Sequence, residues 1–165
     1  MVEKKVLIVD YDSRSLETMS KLLKSQKLWI IQAADGQTGY EKFKSEKPDL
    51  VILEAILPKI HGFDLTKKIF QESEGRVPVI IVTGLYRGPQ YKHEALSSFG
   101  AADYFEKPVD ADKFVSSVMQ LLRDEEDIEE DLPNSDSVIA GLLQKIHPMT
   151  TRSREKEPLE RTDNE

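Results

Sequence analysis

Short apolar runs alternate with amphipathic stretches along residues 1–122, and this alternation constrains the fold more than any other feature of the sequence. The first run, Val6-Leu7-Ile8-Val9, is rich in β-branched residues, which is typical of a strand buried on both faces of a sheet. The predicted strands are residues 6–9, 28–31, 50–53, 79–82 and the shorter 102–106. Five strands separated by helices predict an α/β fold with a parallel sheet, right-handed crossovers and helices on both faces.

The stretches between the strands carry apolar residues at helical spacing. The first helix is predicted over residues 13–27 with Asp12 or Ser13 as its N-cap, because a side-chain oxygen there can accept a free backbone N–H. Asp35 and Gly36 are predicted to form a turn. The other helices are predicted around Tyr40 and Phe43 before Pro48, around Leu65, Ile69 and Phe70, around Ala95, Leu96 and Phe99, and over residues 110–122.

The net charge of −7 arises entirely after residue 122. Residues 1–122 hold 17 Lys/Arg and 17 Asp/Glu, whereas residues 123–165 hold 6 and 13. We predict an acidic linker at 123–135, a short amphipathic helix at 136–147 and a disordered tail at 148–165. The apolar stripe of that helix is expected to pack either on its own domain or on a partner. A neutral body with an acidic appendage has no basic surface, so neither nucleic acid nor an anionic membrane is expected as a partner.

The composition excludes several kinds of chemistry and favours a cytoplasmic protein. The sequence has no cysteine, which excludes disulfides, thiolate catalysis and cysteine-ligated metals. No apolar run approaches the roughly 20 residues that span a bilayer. The apolar run that follows the N-terminus is too short for the core of a signal peptide. The missing targeting signal therefore predicts a cytoplasmic location.

Polar residues stand at the carboxyl ends of four predicted strands. In open parallel sheets ligands bind beyond these ends, near the point where strand order reverses. The residues there are Asp10-Tyr11-Asp12, Glu54, Thr83 and Lys107-Pro108. Two carboxylates, a hydroxyl and an ammonium are therefore expected to converge. Such a set suits a phosphoryl group, with acids to hold Mg²⁺ or accept the phosphoryl and with Thr and Lys to stabilise its oxygens.

Five segments carry a resemblance to a known family. They are Val6-Leu7-Ile8-Val9-Asp10, Pro48-Asp49-Leu50-Val51-Ile52-Leu53-Glu54, Leu57-Pro58 with Gly62-Phe63, Val82-Thr83, and Gly100-Ala101-Ala102-Asp103-Tyr104-Phe105-Glu106-Lys107-Pro108. In this order and spacing they resemble the receiver domain of two-component response regulators. The resemblance implies a signal-transduction domain over residues 1–122, with a flavodoxin-like, doubly wound, five-stranded parallel sheet of order 2-1-3-4-5. It also implies a cis peptide bond before Pro108.

The sequence departs from the family pattern at two positions. Receivers place two adjacent acids after the first strand, and here Asp10 is followed by Tyr11. Receivers accept the phosphoryl group on an Asp at the end of the third strand, and that position is Glu54. Asp12 lies one residue too far along to replace the missing acid and is expected to cap the first helix.

Other positions match the family. Thr83 and Lys107 are retained, Tyr104 matches the switch aromatic that packs inward or outward, and Ile56 matches the residue whose carbonyl completes the metal shell. In the family, the face formed by the fourth helix, fifth strand and fifth helix mediates homodimers and output contacts. The corresponding residues are Lys92, Ala95, Tyr104, Glu106 and Lys113.

The two departures predict a disabled phosphorylation site. Loss of one coordinating carboxylate is expected to weaken or abolish Mg²⁺ binding, so no cofactor is expected. Glu54 is one methylene longer than Asp, which displaces the attacking oxygen, and an error of about 1 Å can cost about a hundredfold in rate. The sequence therefore predicts a pseudo-receiver that acts by phosphorylation-independent protein–protein interaction and not as an enzyme. The Glu54 carboxylate either reaches Lys107 and Thr83 as a phosphoryl mimic or forms a purely structural ion pair with Lys107.

Three other functions remain open. One is a phospho-accepting receiver of a phosphorelay. Another is a haloacid-dehalogenase-type phosphatase, whose Asp-x-Asp signature fits Asp10-Tyr11-Asp12, although Arg14 stands where that family has a small residue. A flavin-binding flavodoxin is disfavoured because the first loop lacks a phosphate cradle. The three histidines, His61, His93 and His147, lack metal-ligand spacing and are predicted to be ordinary surface residues.

Overall fold

Five strands and five helices alternate along residues 3–123, the part of the chain that this computed structural model describes. They are β1 (Lys5–Val9), α1 (Ser13–Lys24), β2 (Trp29–Ala33), α2 (Gly36–Glu46), β3 (Leu50–Leu53), α3 (Gly62–Ser73), β4 (Val79–Thr83), α4 (Pro89–Ser98), β5 (Asp103–Glu106) and α5 (Ala111–Leu121). The first compact unit of the chain ends at Leu122. The predicted linker beyond Arg123, the amphipathic helix at 136–147 and the tail at 148–165 lie outside the described residues.

The strands form one parallel sheet in the order β2-β1-β3-β4-β5. The predicted flavodoxin-like sheet is thus confirmed, with strand order reversing between β1 and β3. Val9 lies opposite Ala33 on one side and Leu53 on the other, and Leu53 lies opposite Ile81. The strands therefore end at a common edge, and the loops that follow them meet there.

Alternate residues of each strand point to opposite faces of the sheet, so the sheet carries two hydrophobic clusters. The first cluster joins Leu7, Val51 and Ile81 to residues of α2, α3 and α4 such as Leu65 and Ile69. The second cluster joins the intervening strand residues to α1 and α5; it includes Val6, Ile8, Ile52, Ile80, Met19, Leu23, Phe114 and Val118. This double burial explains why the central strands read as continuous apolar runs.

Side-chain caps begin four of the helices. Asp12 accepts the backbone N–H of Arg14 at 2.9 Å and caps α1, which confirms that prediction. Asp35 and Asp110 cap α2 and α5 in the same way. His61 caps α3 through Nδ1, which accepts the N–H of Phe63 at 3.2 Å. The prediction of an Asp35-Gly36 turn is wrong, because Asp35 is this cap and Gly36 is already the first residue of α2.

Two glycines let the β3–α3 loop lie close to its neighbours. A Cβ on Gly36 would lie 2.2 Å from the carbonyl oxygen of Ile60, and a Cβ on Gly62 would lie 2.2 Å from that of Glu54. Hydrogen bonds from Gly36 N to Pro58 O and from Gly62 N to Ala55 O hold the same contacts. The loop that follows Glu54 is therefore fixed by backbone packing, which a larger residue at either glycine would prevent.

Candidate functional site

Three charged side chains meet at the carboxyl edge of the sheet. Asp10 follows β1, Glu54 follows β3 and Lys107 follows β5. The Lys107 ammonium lies 2.8 Å from Asp10 Oδ2 and 2.8 Å from Glu54 Oε2. Asp10 is fully buried and Glu54 is 4% exposed. A single ammonium is thus shared by two buried carboxylates, which leaves a formal charge of about −1 at the site.

Backbone N–H groups occupy the other two carboxylate oxygens. Asp12 N donates to Asp10 Oδ1 at 2.9 Å, and Ile56 N donates to Glu54 Oε1 at 3.3 Å. Each of the four oxygens therefore accepts a hydrogen bond, as buried polar atoms require. The predicted metal-shell residue, Ile56, contacts Glu54 through its N–H, whereas the family pattern uses its carbonyl.

Burial and ion pairing shift the pKa values of Asp10 and Lys107 in opposite directions. Burial raises the pKa of Asp10, and the hydrogen bond from Lys107 opposes this only in part. For Lys107, burial lowers the pKa, but the hydrogen bonds to Asp10 and Glu54 outweigh it, so the pKa lies above 10.5. Lys107 therefore stays cationic throughout the physiological range.

The Thr83 hydroxyl is hydrogen-bonded to the loop after β4 and not to the carboxylates of Asp10 and Glu54. Its Oγ1 accepts the backbone N–H of Leu85 at 3.2 Å, and Thr83 itself is fully buried. Among the hydrogen bonds of residues 3–123, none joins Glu54 to Thr83. Of the two contacts in the mimic hypothesis, Glu54 makes the one with Lys107 and not the one with Thr83.

The donor set does not fit Mg²⁺ in the way that the family pattern requires. Tyr11 occupies the position of the second acid, and its side chain is 55% exposed. Asp12 is committed to capping α1. Within the described residues, no group of three or more His, Cys, Asp or Glu side chains is arranged to hold a metal ion. Mg²⁺ demands near-octahedral oxygen coordination, and here one direct carboxylate ligand is missing.

Tyr104 points into the protein. It is buried in the first hydrophobic cluster, and its hydroxyl donates a hydrogen bond to the Tyr86 carbonyl. Burial raises the pKa of Tyr104 to about 12, with a smaller contribution from Glu106. The peptide bond between Lys107 and Pro108 is cis, as the resemblance implies.

The predicted interaction face is only partly exposed. Lys92 on α4, Glu106 on β5 and Lys113 on α5 are exposed. Ala95 is fully buried where α4 packs on the sheet, so its assignment as a contact residue is wrong. Tyr104 likewise offers no free surface in this inward position.

Two residues near the site were missed by the sequence analysis. Arg87 donates a hydrogen bond to the Lys107 carbonyl and lies 3.7 Å from Glu106. His61 was predicted to be an ordinary surface residue, but it is half-buried, caps α3 and stacks on Phe63. For His61, its place just before a helical segment was an available signal. For Arg87, nothing in the sequence pattern indicates a contact with Glu106 or Lys107, much further along the chain.

The fold and the residues at its carboxyl edge define a flavodoxin-like domain of the receiver class. Residues 6–119 match the family described as response regulator receiver domain, and the chain therefore belongs to that family. Receiver domains are in general signalling domains that work through protein partners in two-component systems and are not enzymes. The haloacid-dehalogenase alternative finds no support in these comparisons.

Named relatives and solved structures agree with this assignment. The chain is 28% identical to PilH of Pseudomonas aeruginosa over 119 residues, covering 72% of this chain and 97% of PilH. It is 28% identical to the alkaline phosphatase synthesis transcriptional regulatory protein PhoP of Bacillus subtilis over 122 residues, which are 74% of this chain and 50% of PhoP. The probable transcriptional regulator ycf27 of Porphyridium aerugineum is 30% identical over 148 residues, 87% of this chain and 59% of that protein. The chain thus spans about half the length of several curated relatives that it matches.

Solved receiver structures share the fold at similar identity. A CheY-like receiver domain protein from Methanospirillum hungatei is 26% identical with a TM-score of 0.68, covering 78% of this chain and 99% of that one. The CheX-CheY-BeF3-Mg complex from Borrelia burgdorferi matches at 27% identity with a TM-score of 0.67, covering 73% of this chain and 90% of that one. Within residues 3–123, no helix is both long enough and apolar enough to cross a membrane.

Proposed function

We propose that this chain is a pseudo-receiver, which transmits a signal by phosphorylation-independent protein–protein interaction. The observation that carries the proposal is the loss of the second acid beside Asp10, where the exposed Tyr11 stands, together with a longer carboxylate, Glu54, whose two oxygens both accept hydrogen bonds. Lys107 is retained from the family pattern, and its ammonium lies 2.8 Å from both Asp10 and Glu54, so it offsets one of the two remaining negative charges. The two carboxylates are thus hydrogen-bonded without a metal or a phosphoryl group.

Mg²⁺ binding is expected to be weak or lost in this protein. A third carboxylate about 4 Å away would contribute roughly 4 kcal/mol of charge interaction at an effective dielectric of about 20. Tyr11 supplies neither that charge nor a carboxylate oxygen. Because phosphoryl transfer relies on the metal for charge neutralisation and alignment, the loss of the metal disfavours the reaction.

The length and pairing of Glu54 oppose phosphorylation independently. Its extra methylene places the carboxylate against Lys107, where both oxygens already accept hydrogen bonds. Attack on a phosphodonor would have to come from an oxygen that Lys107 or the Ile56 N–H already holds, in a buried position. Misplacement by about 1 Å can further cost about a hundredfold in rate.

The proposed output surface is the exposed part of the α4–β5–α5 face. Lys92, Glu106 and Lys113 present charged side chains there, and Tyr104 lies inward with its hydroxyl bonded to the Tyr86 carbonyl. A protein partner, or a second copy of this chain, would bind this surface without a prior phosphorylation step. Residues 1–122 have no excess of positive charge, so nucleic acid is not part of the proposal.

The proposal is tested by incubating the protein with acetyl phosphate and Mg²⁺ and measuring its intact mass. We expect no gain of a phosphoryl group by the native chain. The double variant Tyr11→Asp/Glu54→Asp restores the three carboxylates of the family pattern and is expected to gain one. The single variants show which defect dominates, and Mg²⁺ binding by calorimetry should follow the same order. Labelling of the native chain would overturn the proposal.

A further inference from the structure

The loop between β4 and α4 is attached to β5 by three side-chain contacts. The Tyr104 hydroxyl donates to the Tyr86 carbonyl, and the Arg87 guanidinium donates to the Lys107 carbonyl. The Gly88 N–H donates to Glu106 Oε2 at 2.7 Å. Three consecutive loop residues are therefore each bonded to β5 or to the residue that follows it.

Charge and backbone conformation reinforce these contacts. Arg87 Nη1 lies 3.7 Å from Glu106 Oε1, so the same carboxylate holds both Arg87 and Gly88. Gly88 has φ of +113°, a conformation that residues with a Cβ rarely adopt, and it is the N-cap residue of α4, which has no side-chain cap. The Glu106 carboxylate thus lies at the start of α4, where negative charge is favourable.

The opposite side of the loop offers no comparable link to the carboxylate site. Thr83 Oγ1 accepts the Leu85 N–H, but no hydrogen bond of the described residues joins Thr83 to Glu54. The ring of Tyr86 packs on His61 and Phe63 near the start of α3, so the polar side-chain contacts of residues 86–88 run to β5 while their aromatic contacts run to α3.

We infer that Arg87 and Glu106 form a latch that fixes the β4–α4 loop against β5 and thereby keeps Tyr104 inward without a phosphoryl group. Arg87 and Glu106 act as positioning residues, because they contact the loop and not a reacting group. This inference deepens the proposed function by naming the device that holds the output face in one state.

The latch is tested by hydrogen exchange of the loop amides in the full chain. The variants Arg87→Ala and Glu106→Ala are expected to speed exchange of the Leu85 and Gly88 amides by about tenfold or more, while β1 and β3 amides stay unchanged, as expected for local opening. The Tyr104 ring should also lose its nuclear Overhauser contacts to Tyr86 in both variants. Lys24→Ala removes one exposed charge from α1, lies outside both the latch and the proposed output surface, and is expected to change neither readout.

A second measurement uses the unaltered chain, so the test does not depend on the folding of a variant. Raising sodium chloride from about 0.1 M to about 1 M screens an exposed ion pair, and loop exchange should rise a few fold as a result. Loop exchange that is unchanged in both variants, or is already unprotected in the native chain, overturns the latch.

The outcome is distinguishable from failure of the proposed function. Hydrogen exchange is measured on the unphosphorylated protein, so it tests the latch whether or not acetyl phosphate labels the chain. Labelling with an intact latch would reject the pseudo-receiver alone. A mobile loop in a chain that cannot be labelled would reject the latch alone.

Discussion

At the scale of single residues, Lys107 is the side chain on which two others depend. Asp10 and Glu54 are buried, and each gives one oxygen to the Lys107 ammonium. A buried ion pair is a weak source of net stability, but removing one partner leaves uncompensated charge in the interior. In this site the removal of Lys107 would leave two such charges side by side.

We therefore expect Lys107→Met to lower the free energy of unfolding by about 3 kcal/mol at neutral pH. Urea denaturation followed by circular dichroism measures this change. Lys92→Met is the matched control, because Lys92 lies 3.9 Å from Asp103 in a largely exposed pair, which is expected to contribute under about 1 kcal/mol. Equal losses in the two variants would contradict the central role of the shared ammonium.

The burial of Asp10 predicts the direction in which the stability of an Asp10 variant, relative to the native chain, changes with pH. Burial raises its pKa above 3.8 in the folded state, so folding disfavours its ionised form. Its contribution to stability is fully present below pH 3.8 and is lost as the pH rises through the folded-state pKa. The unfolding free energy of Asp10→Asn relative to the native chain should therefore increase as the pH is raised from about 3.5 towards neutrality. A difference that is flat, or that falls with pH, would show that pairing with Lys107 outweighs burial.

The sequence predicted which residues lie at the site more accurately than it predicted the contacts that they make. The convergence of Asp10, Glu54 and Lys107 follows from strand topology, because parallel strands end at one edge. The partner of Thr83 does not follow, since the rotamer of a hydroxyl side chain depends on which backbone N–H lies nearby. Ala95 was assigned to the interaction face from the family resemblance, whereas in this structure it is fully buried where α4 packs on the sheet.

At the scale of elements, the β3–α3 loop carries the tightest backbone packing near the site. Gly62 begins α3 directly against the carbonyls of Glu54 and Ala55, 2.2 and 2.6 Å from where a Cβ would lie. Neither obstacle is the end of a flexible side chain, so a larger residue would push α3 and the loop apart. The position of Glu54 depends on that contact.

Gly62→Ala is accordingly expected to lower the free energy of unfolding by about 1–3 kcal/mol, the usual range for overpacking a close contact. Gly84→Ala makes a suitable control, because its Cβ would lie 3.8 Å from Lys107 Cδ, an ordinary contact distance. We expect that variant to change stability by under about 0.5 kcal/mol. Thermal unfolding of both variants under the same conditions measures the two losses of stability. Similar stability of the two variants would contradict the packing argument.

The boundaries of elements were harder to predict than their number and type. The second strand was predicted over residues 28–31 but runs from Trp29 to Ala33. It extends through Ala33 because Gln32 and Ala33 pair with Ile8 and Val9 of β1. At the sheet edge, the Gln32 side chain also donates to Ser20, and the Lys42 ammonium donates to the Gln32 carbonyl. Phe70 was expected in the helical apolar set but is 44% exposed, since it packs beside Gly75 and Gly100 outside the main clusters. Such tertiary contacts override a local apolar pattern.

At the scale of the whole molecule, two hydrophobic clusters share one sheet. Strand order and layering were predictable because apolar periodicity and the handedness of crossovers leave few alternatives. Neighbouring residues of the same strands contribute to opposite clusters, as Leu7 and Ile8 do. Neither cluster can therefore lose its structure without exposing the other face of the sheet.

This arrangement predicts a single cooperative unfolding transition for residues 3–123. Ile69→Ala in the first cluster and Phe114→Ala in the second should each lower stability by about 3–4 kcal/mol. Both variants should show one coincident transition by fluorescence and by circular dichroism. Leu96→Ala, at a position that is 38% exposed, is the control and should cost far less. Separate transitions for the two faces would reject cooperative coupling through the sheet.

The cation between the two carboxylates is covalently part of the chain, and this has a consequence for the cell. A free ion is present at a concentration that metabolism and chelation can change, whereas a side chain accompanies its own carboxylates at a fixed ratio of one. Under the proposed function, in which neither a metal nor a phosphoryl group is needed, chelators and depletion of phosphodonors would leave the domain active. On that proposal we expect its influence to be graded mainly by synthesis and degradation, so that gene dosage, more than any enzyme acting on it, determines the strength of its signal.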